Sequence, residues 1–134
     1  MRNVLLAATI AAASITGTAA NALPPLMSVD ALTGPLVEAR AADLVRKGCP
    51  AYSVNMIRAL SEAKALEKRA ISAGYPKDEV RAFVKDKEAK AEIYRRADAL
   101  LRDLGVKNGD TDSLCAAGDA LVARGGLASR LIFR

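Results

Sequence analysis

Residues Pro76 to Leu104 read PKDEVRAFVKDKEAKAEIYRRADALLRDL, and this stretch decides the fold class. Tyr75-Pro76-Lys77-Asp78-Glu79 is a helix start. Proline suits the first turn, where its missing N–H costs nothing, and two carboxylates face the positive helix end. No glycine or further proline follows until Gly105, so the spacing predicts one helix of about 40 Å at 1.5 Å per residue. Its first half turns Val80, Phe83, Val84, Ala91 and Tyr94 inward; its second half shifts to Ile93, Ala97, Leu100, Leu101 and Leu104. A stripe that drifts around the wheel in this way predicts a central helix packed on two neighbours. Asp86/Lys90, Glu92/Arg96 and Asp98/Arg102 are acid-first i,i+4 pairs and read as a solvated face.

Upstream, a helix is expected from Tyr52 to Ala73, stopped by Gly74, with Met56, Ala59, Leu60, Ala63, Leu66, Ala70 and Ala73 in one stripe. Before it, Pro35 opens a helix to Lys47, with Thr33 as its cap and Gly48 as its stop. Cys49-Pro50 connects the two. Downstream, Lys107-Asn108-Gly109-Asp110 is a polar turn, and Asp110 or Thr111 caps a fourth helix ending at Arg124. Leu114, Gly118, Leu121 and Val122 form its inner face. Gly118 costs about 1 kcal/mol inside a helix and therefore marks a close helix crossing. Gly125-Gly126 then releases a tail in which Arg124, Arg130 and Arg134 surround Leu131-Ile132-Phe133. A basic, apolar docking tail is one reading. A segment folded back over the core is favoured, because large apolar residues are scarce. No period-2 alternation is present, so no strand is expected. The fold class that follows is all-α, a small four-helix bundle-like domain.

The whole chain has 134 residues, 51% of them hydrophobic but only 4% aromatic and none Trp, so its core is built from Ala, Leu, Val and Ile. It contains no His, which removes Ser-His-Asp and Cys-His catalysis and His-bearing zinc sites. Two cysteines exclude a four-cysteine zinc site or an iron–sulfur cluster within one chain.

Arg2, the apolar run Val4 to Ile15 and Ala20-Asn21-Ala22 have the three-part plan of a secretory signal peptide. Residues 1–22 are expected to be removed after Ala22, leaving a single helical domain over 23–134 and a periplasmic location. With no lipobox cysteine and no twin arginine, a soluble product of general export is expected. The 112 residues that remain keep 19 of the 20 basic residues and all 15 acidic ones, a net charge of +4. These charges are interleaved, with no basic run and no aromatic stacking platform, so nucleic acid is not expected as a partner. Weak attraction to anionic surfaces is expected. An even cysteine pair in an oxidising compartment reads as a Cys49–Cys115 disulfide, not a redox pair, since no C-x-x-C motif is present.

Three charges fall inside apolar stripes: Glu67 on the second helix, Lys87 and Asp98 on the third. They are the candidates for a polar pocket between helices, with Glu67 or Lys87 as acid or base. An ion pair at the stripe edge accounts for them more simply and is favoured. Asn108, Asp110, Asp112 and Asp119 fall at EF-hand positions 1, 3, 5 and 12, but Ser113 stands where the loop needs Gly and no bidentate Glu follows. They read as a helix N-terminus, and no metal, cofactor or catalytic residue is expected.

The order of features resembles a family of small exported proteins of unknown function from Rhodobacter-like alphaproteobacteria. The residues concerned are Gly48-Cys49, then Gly74-Tyr75-Pro76-Lys77-Asp78-Glu79-Val80 opening a long helix, Gly105 closing it, Cys115-Ala116-Ala117-Gly118, and Leu131-Ile132-Phe133-Arg134. Pro76 stands where such sequences usually carry a Ser or Thr cap. The resemblance implies a periplasmic, helical, disulfide-pinned domain and supplies no catalytic residue. The expected function is a non-enzymatic interaction or accessory protein with an envelope protein as partner; the alternative is a small-ligand or metal-binding periplasmic protein.

Overall fold

Helix α1, Asp30–Gly48, is the axis of the molecule, and α4, α5 and α6 close around it. The computed structural model describes residues 22–134; the expected leader therefore lies, except for Ala22, outside the described residues. Along the chain come a 3-10 turn at Leu26–Ser28, α1, β1 (Ser53–Val54), α2 (Met56–Ser72), α3 (Lys77–Lys85), α4 (Lys87–Asp103), α5 (Thr111–Arg124), α6 (Gly126–Leu131) and β2 (Ile132–Phe133). The expectation of an all-helical chain holds for most of these residues, but six α-helices stand where four were expected.

The inner face of α1 is Ala41, Ala42 and Val45, all fully buried. Small side chains let α4, α5 and α6 approach closely, and they bring Ala97, Leu101, Ala117, Leu121, Leu127, Ala128 and Leu131 into one core. Gly118 is a point of close approach. A Cβ added there would lie 2.5 Å from Tyr52 Cε2 and 2.8 Å from Val45 Cγ1, so the expected close crossing is present. Tyr52 is buried beside it and donates its hydroxyl to Asp119 at 2.6 Å. Next to this crossing the Cys49–Cys115 disulfide joins the end of α1 to α5, with a Cα–Cα distance of 5.2 Å. It closes a loop of 66 residues, and the chain-entropy contribution for such a loop is about 4 kcal/mol.

The expected long third helix is broken at Asp86. This residue is extended, with φ −68° and ψ 126°, and serves both as the C-cap of α3 and as the N-cap of α4. Its carboxylate accepts the Ala89 N–H at 2.6 Å, replacing a bond that continued helix would have made with the backbone. The drifting stripe thus belongs to two helices with different neighbours. Of the three i,i+4 pairs, Glu92–Arg96 forms at 2.8 Å, while Asp86 is used as the cap.

Helix α1 starts a turn and a half before Pro35, correcting the expected start there. Thr33 is buried inside the helix, its hydroxyl donating to the Val29 carbonyl at 3.2 Å, and does not cap. Burial of Leu26 and Leu32 against Ala70, Tyr75 and Val80 in a second small core outweighs the hydrogen bond that Pro35 cannot make. Tyr75 anchors this region by donating its hydroxyl to the Pro24 carbonyl at 2.6 Å, tying the α2–α3 turn to the N-terminal arm.

The tail folds back, as favoured from the sequence, with Leu127, Ala128, Leu131 and Ile132 buried. It also supplies the strand pairing that was not expected: Ser53 pairs with Phe133 and Val54 with Ile132, antiparallel. Residues 52–55 are therefore not the first turn of α2. Helix α6 is positioned by Glu38, whose carboxylate accepts the Ala128 N–H at 3.0 Å, and by the Arg130–Glu62 ion pair at 3.0 Å.

Gly118→Ala removes a residue that disfavours helix, so on propensity alone it would stabilise. The contacts to Tyr52 and Val45 reverse the sign. The expected outcome is a loss of about 1–3 kcal/mol, read in a thermal melt as a midpoint lower by roughly 5–15 °C. The Cys49→Ser/Cys115→Ser variant is expected to lose up to about 4 kcal/mol, and reductant should have the same effect on the parent chain and none on the variant.

Candidate functional site

The apolar residues of α2 are not covered. Ala70 is its one buried residue, and a trough opens between α2 and α3. Met56, Leu60 and Ala63, read from the sequence as core, do not reach it, and Met56 and Leu60 are each 63% exposed. They belong to a wall, with no helix facing them. Across the trough, Phe83 is half-buried and Val84 is 69% exposed. Leu26, Leu32 and Leu36 form the floor, and the enclosed volume is about 500 Å3. Such a volume lies within the range of sites that take a ligand or a side-chain cluster.

The rim carries Lys64 from α2 and Arg81 and Lys85 from α3, against one carboxylate, Glu67. None of these four takes part in an ion pair among the described residues. Arg81 and Lys85 are one turn apart on α3, so they lie above one another on the same face. Past Phe83 and Val84, which line both spaces, the trough runs into a smaller hollow of about 190 Å3 bounded by Arg40, Lys90 and Tyr94. There the Arg40 guanidinium stacks on the Tyr94 ring at 3.9 Å, with the Lys90 amine 5.6 Å from the same ring.

On the other side of α3, at its junction with α4, the charges have the other sign. Glu79, Asp86, Glu88 and Glu92 border a cleft of about 530 Å3 under Met27. Hydrogen bonds from Arg95 and then Arg96 hold the Glu92 carboxyl down at about 2, outweighing the small desolvation that raises it. On α1, burial pushes the Asp43 carboxyl up, but its contacts with Lys47 and Arg46 prevail and leave it below the usual range. Burial, followed by the hydrogen bond to Asp119, raises the Tyr52 hydroxyl.

The three charges singled out from the sequence are not brought together. Glu67 is half-buried on the trough wall, but Lys87 and Asp98 are exposed on α4, and no hydrogen bond or ion pair links them among the described residues. Lys87 is in the first turn of α4 and Asp98 three turns on, about 16 Å away along the helix. The Asn108–Asp112 turn is a helix N-terminus: Asp110 accepts the Ser113 N–H at 3.0 Å. Asp119 is engaged by Tyr52 and by Arg134, the latter at 2.8 Å. Among the described residues no group of three or more Asp, Glu, Cys or His is placed to hold a metal ion, and no helix is long and apolar enough to cross a membrane.

Comparison with protein families finds one whose model covers residues 24–132, a family of unknown function, DUF5333. The chain belongs to that family. The matched span takes in all six helices of the described residues and both cysteines. No curated protein matches the chain, and no solved structure does.

The trough was missed from the sequence because its walls were assigned to the core. Lys77, Arg81 and Lys85, spaced by four, are the signal that one face of α3 is solvated.

A depressed carboxyl stabilises the fold above its unfolded value, and that contribution is lost as pH falls through the folded value. For Glu92 the window runs from about 4.5 down to about 2. An NMR titration of the Glu92 carboxyl carbon should therefore give a midpoint near 2, and Arg95→Ala/Arg96→Ala should return it to the ordinary glutamate range. A Glu92 midpoint near 4.5 in the parent would show that the ion pairs are not maintained in solution.

Proposed function

We propose that this protein is a non-enzymatic accessory domain of the bacterial periplasm whose working surface is the trough between α2 and α3. The observation that carries the reading is a continuous apolar surface with Leu60 and Val84 on its two lips, each more than three-fifths exposed, on a chain poor in large apolar residues. Uncovered apolar area of this kind marks a contact site, because a monomer gains nothing by holding it in water. The residues lining the trough include no Ser, Thr, Cys or Tyr, and its ionisable groups are Lys64, Glu67, Arg81 and Lys85. That lining supports binding over catalysis, since no nucleophile is set beside a base. Support for the compartment comes from the Cys49–Cys115 disulfide, which persists under oxidising conditions, and from the leader-like residues 1–22.

The test is a photo-crosslinking amino acid placed at Val84 on the trough lip or, as a control, at Ala123 on the exposed side of α5, in cells exporting the chain. Crosslinking from Val84 to one species, saturating with expression and abolished by Leu60→Asp, is the expected outcome. Equal crosslinking from Ala123, or none from Val84, removes the trough as the working surface. Leu60→Asp and Val84→Asp are expected to leave the thermal midpoint close to that of the parent, within about 0.5 kcal/mol, because both side chains already face water.

A further inference from the structure

We infer that the occupant of the trough is an amphipathic helix of a partner protein with acidic residues flanking its apolar stripe. This rests on the trough being the working surface and goes further by stating the chemistry that fits it. The first argument is shape. The apolar face of α2 does not end with the trough: Met56 and Ile57 extend it by one turn beyond Leu60, at 63% and 83% exposure. From Met56 to Glu67 this wall is about three turns, roughly 16 Å, open along its length. An open wall of that length matches a docked helix presenting side chains at i, i+3, i+4 and i+7, the arrangement by which grooves take helical segments.

The second argument is charge. Lys64, Arg81 and Lys85 stand on the two lips without ion-pair partners among the described residues, and Glu67 is the single opposing charge. A helix entering between α2 and α3 passes its flanks beneath these cations, so acidic flanks are attracted and basic ones repelled. The same cations argue against a second copy of this chain. Leu60 and Val84 line the trough beside Lys64, Arg81 and Lys85, so a symmetric pairing of two copies through it would bring cationic rims together.

The experiment uses the oxidised chain from Leu23 to Arg134 and two labelled peptides of about 18 residues with the same Leu/Ile stripe, one flanked by Glu and one by Lys, followed by fluorescence anisotropy. The expected result is saturable binding of the Glu peptide, at least about tenfold tighter than the Lys peptide, weakening with salt. Lys64→Glu/Arg81→Glu/Lys85→Glu should invert the preference, and Leu60→Asp/Val84→Asp should abolish binding of both while keeping the parent melt. If both peptides bind equally and the charge-reversed variant behaves as the parent, the acidic flank is overturned and the trough remains the working surface. If neither peptide binds while the Val84 crosslink persists, the acidic helix is overturned and the trough again stands. Loss of both the peptide binding and the crosslink overturns the two together. Two further results would replace the helix with another occupant: binding of sodium oleate, sensitive to Leu60→Asp, without peptide binding, or a dimer in light scattering that Leu60→Asp dissociates.

Discussion

The close approach of α5 to α1 at Gly118 sets the terms for the rest of the molecule. With no Cβ at this position, the α5 backbone reaches Tyr52 and Val45, and the sulfur atoms of Cys49 and Cys115 come within bonding distance beside it. An Ala-rich α1 face makes the same close approach available to α4 and α6. The main core sets small groups on α1 against leucines from α4, α5 and α6, which the close approach of the helices allows to be buried. Contacts of that kind tolerate little displacement, and the covalent bridge restricts the displacement at the one place where the packing is tightest.

This division of labour leaves the other half of the structure free. The helices built around α1 carry the burial, while α2 and α3 are held chiefly by the smaller cluster of Leu26, Leu32, Ala70, Tyr75 and Val80. They expose apolar residues that a more economical fold would cover. The cations Arg81 and Lys85 of α3 face the trough, while the Met27 cleft takes its acids from Glu79 of α3, the cap Asp86, and Glu88 and Glu92 of α4. The surface is thus polarised without a strong net charge on the chain.

Much of the fold could be read from residues whose effect is local. Asp110 and Arg124 bound α5 as expected because a cap and a following glycine act within one turn. Gly118 announced the crossing because a glycine inside a helix is costly unless something takes its place. The Cys pair followed from its even number and from the expected leader. What could not be read depended on distant partners. The extension of α1 past Pro35 is driven by burial of Leu26 and Leu32 against residues far along the chain, and a two-residue strand carries too little pattern to betray its pairing. Asp86 carried a signal that was misassigned: the drift of the apolar stripe was a change of helix, not the twist of one. The trough was hidden for a related reason, since an apolar helix face looks the same in sequence whether a neighbour fills it or water does. Lys87 and Asp98 lie eleven residues apart on α4, about 16 Å along its axis, so neither a broken nor a continuous helix gathers both of them at Glu67.

The position of the tail has a consequence for the order of events during synthesis. The core is closed by Leu127, Ala128, Leu131 and Ile132, and its covalent clasp needs Cys115, so α1 meets α4 first and gains α5, α6 and the disulfide only once residues 111–132 have been made. A ribosome-bound fragment ending before α5 holds the cluster of Leu26, Leu32, Ala70, Tyr75 and Val80 and the α1–α4 contact, but lacks Leu121, Leu127, Leu131 and the second cysteine. Such a fragment has only part of its core to set against its chain entropy. Completion of the main core therefore waits on residues 111–133, which supply α5, α6 and β2.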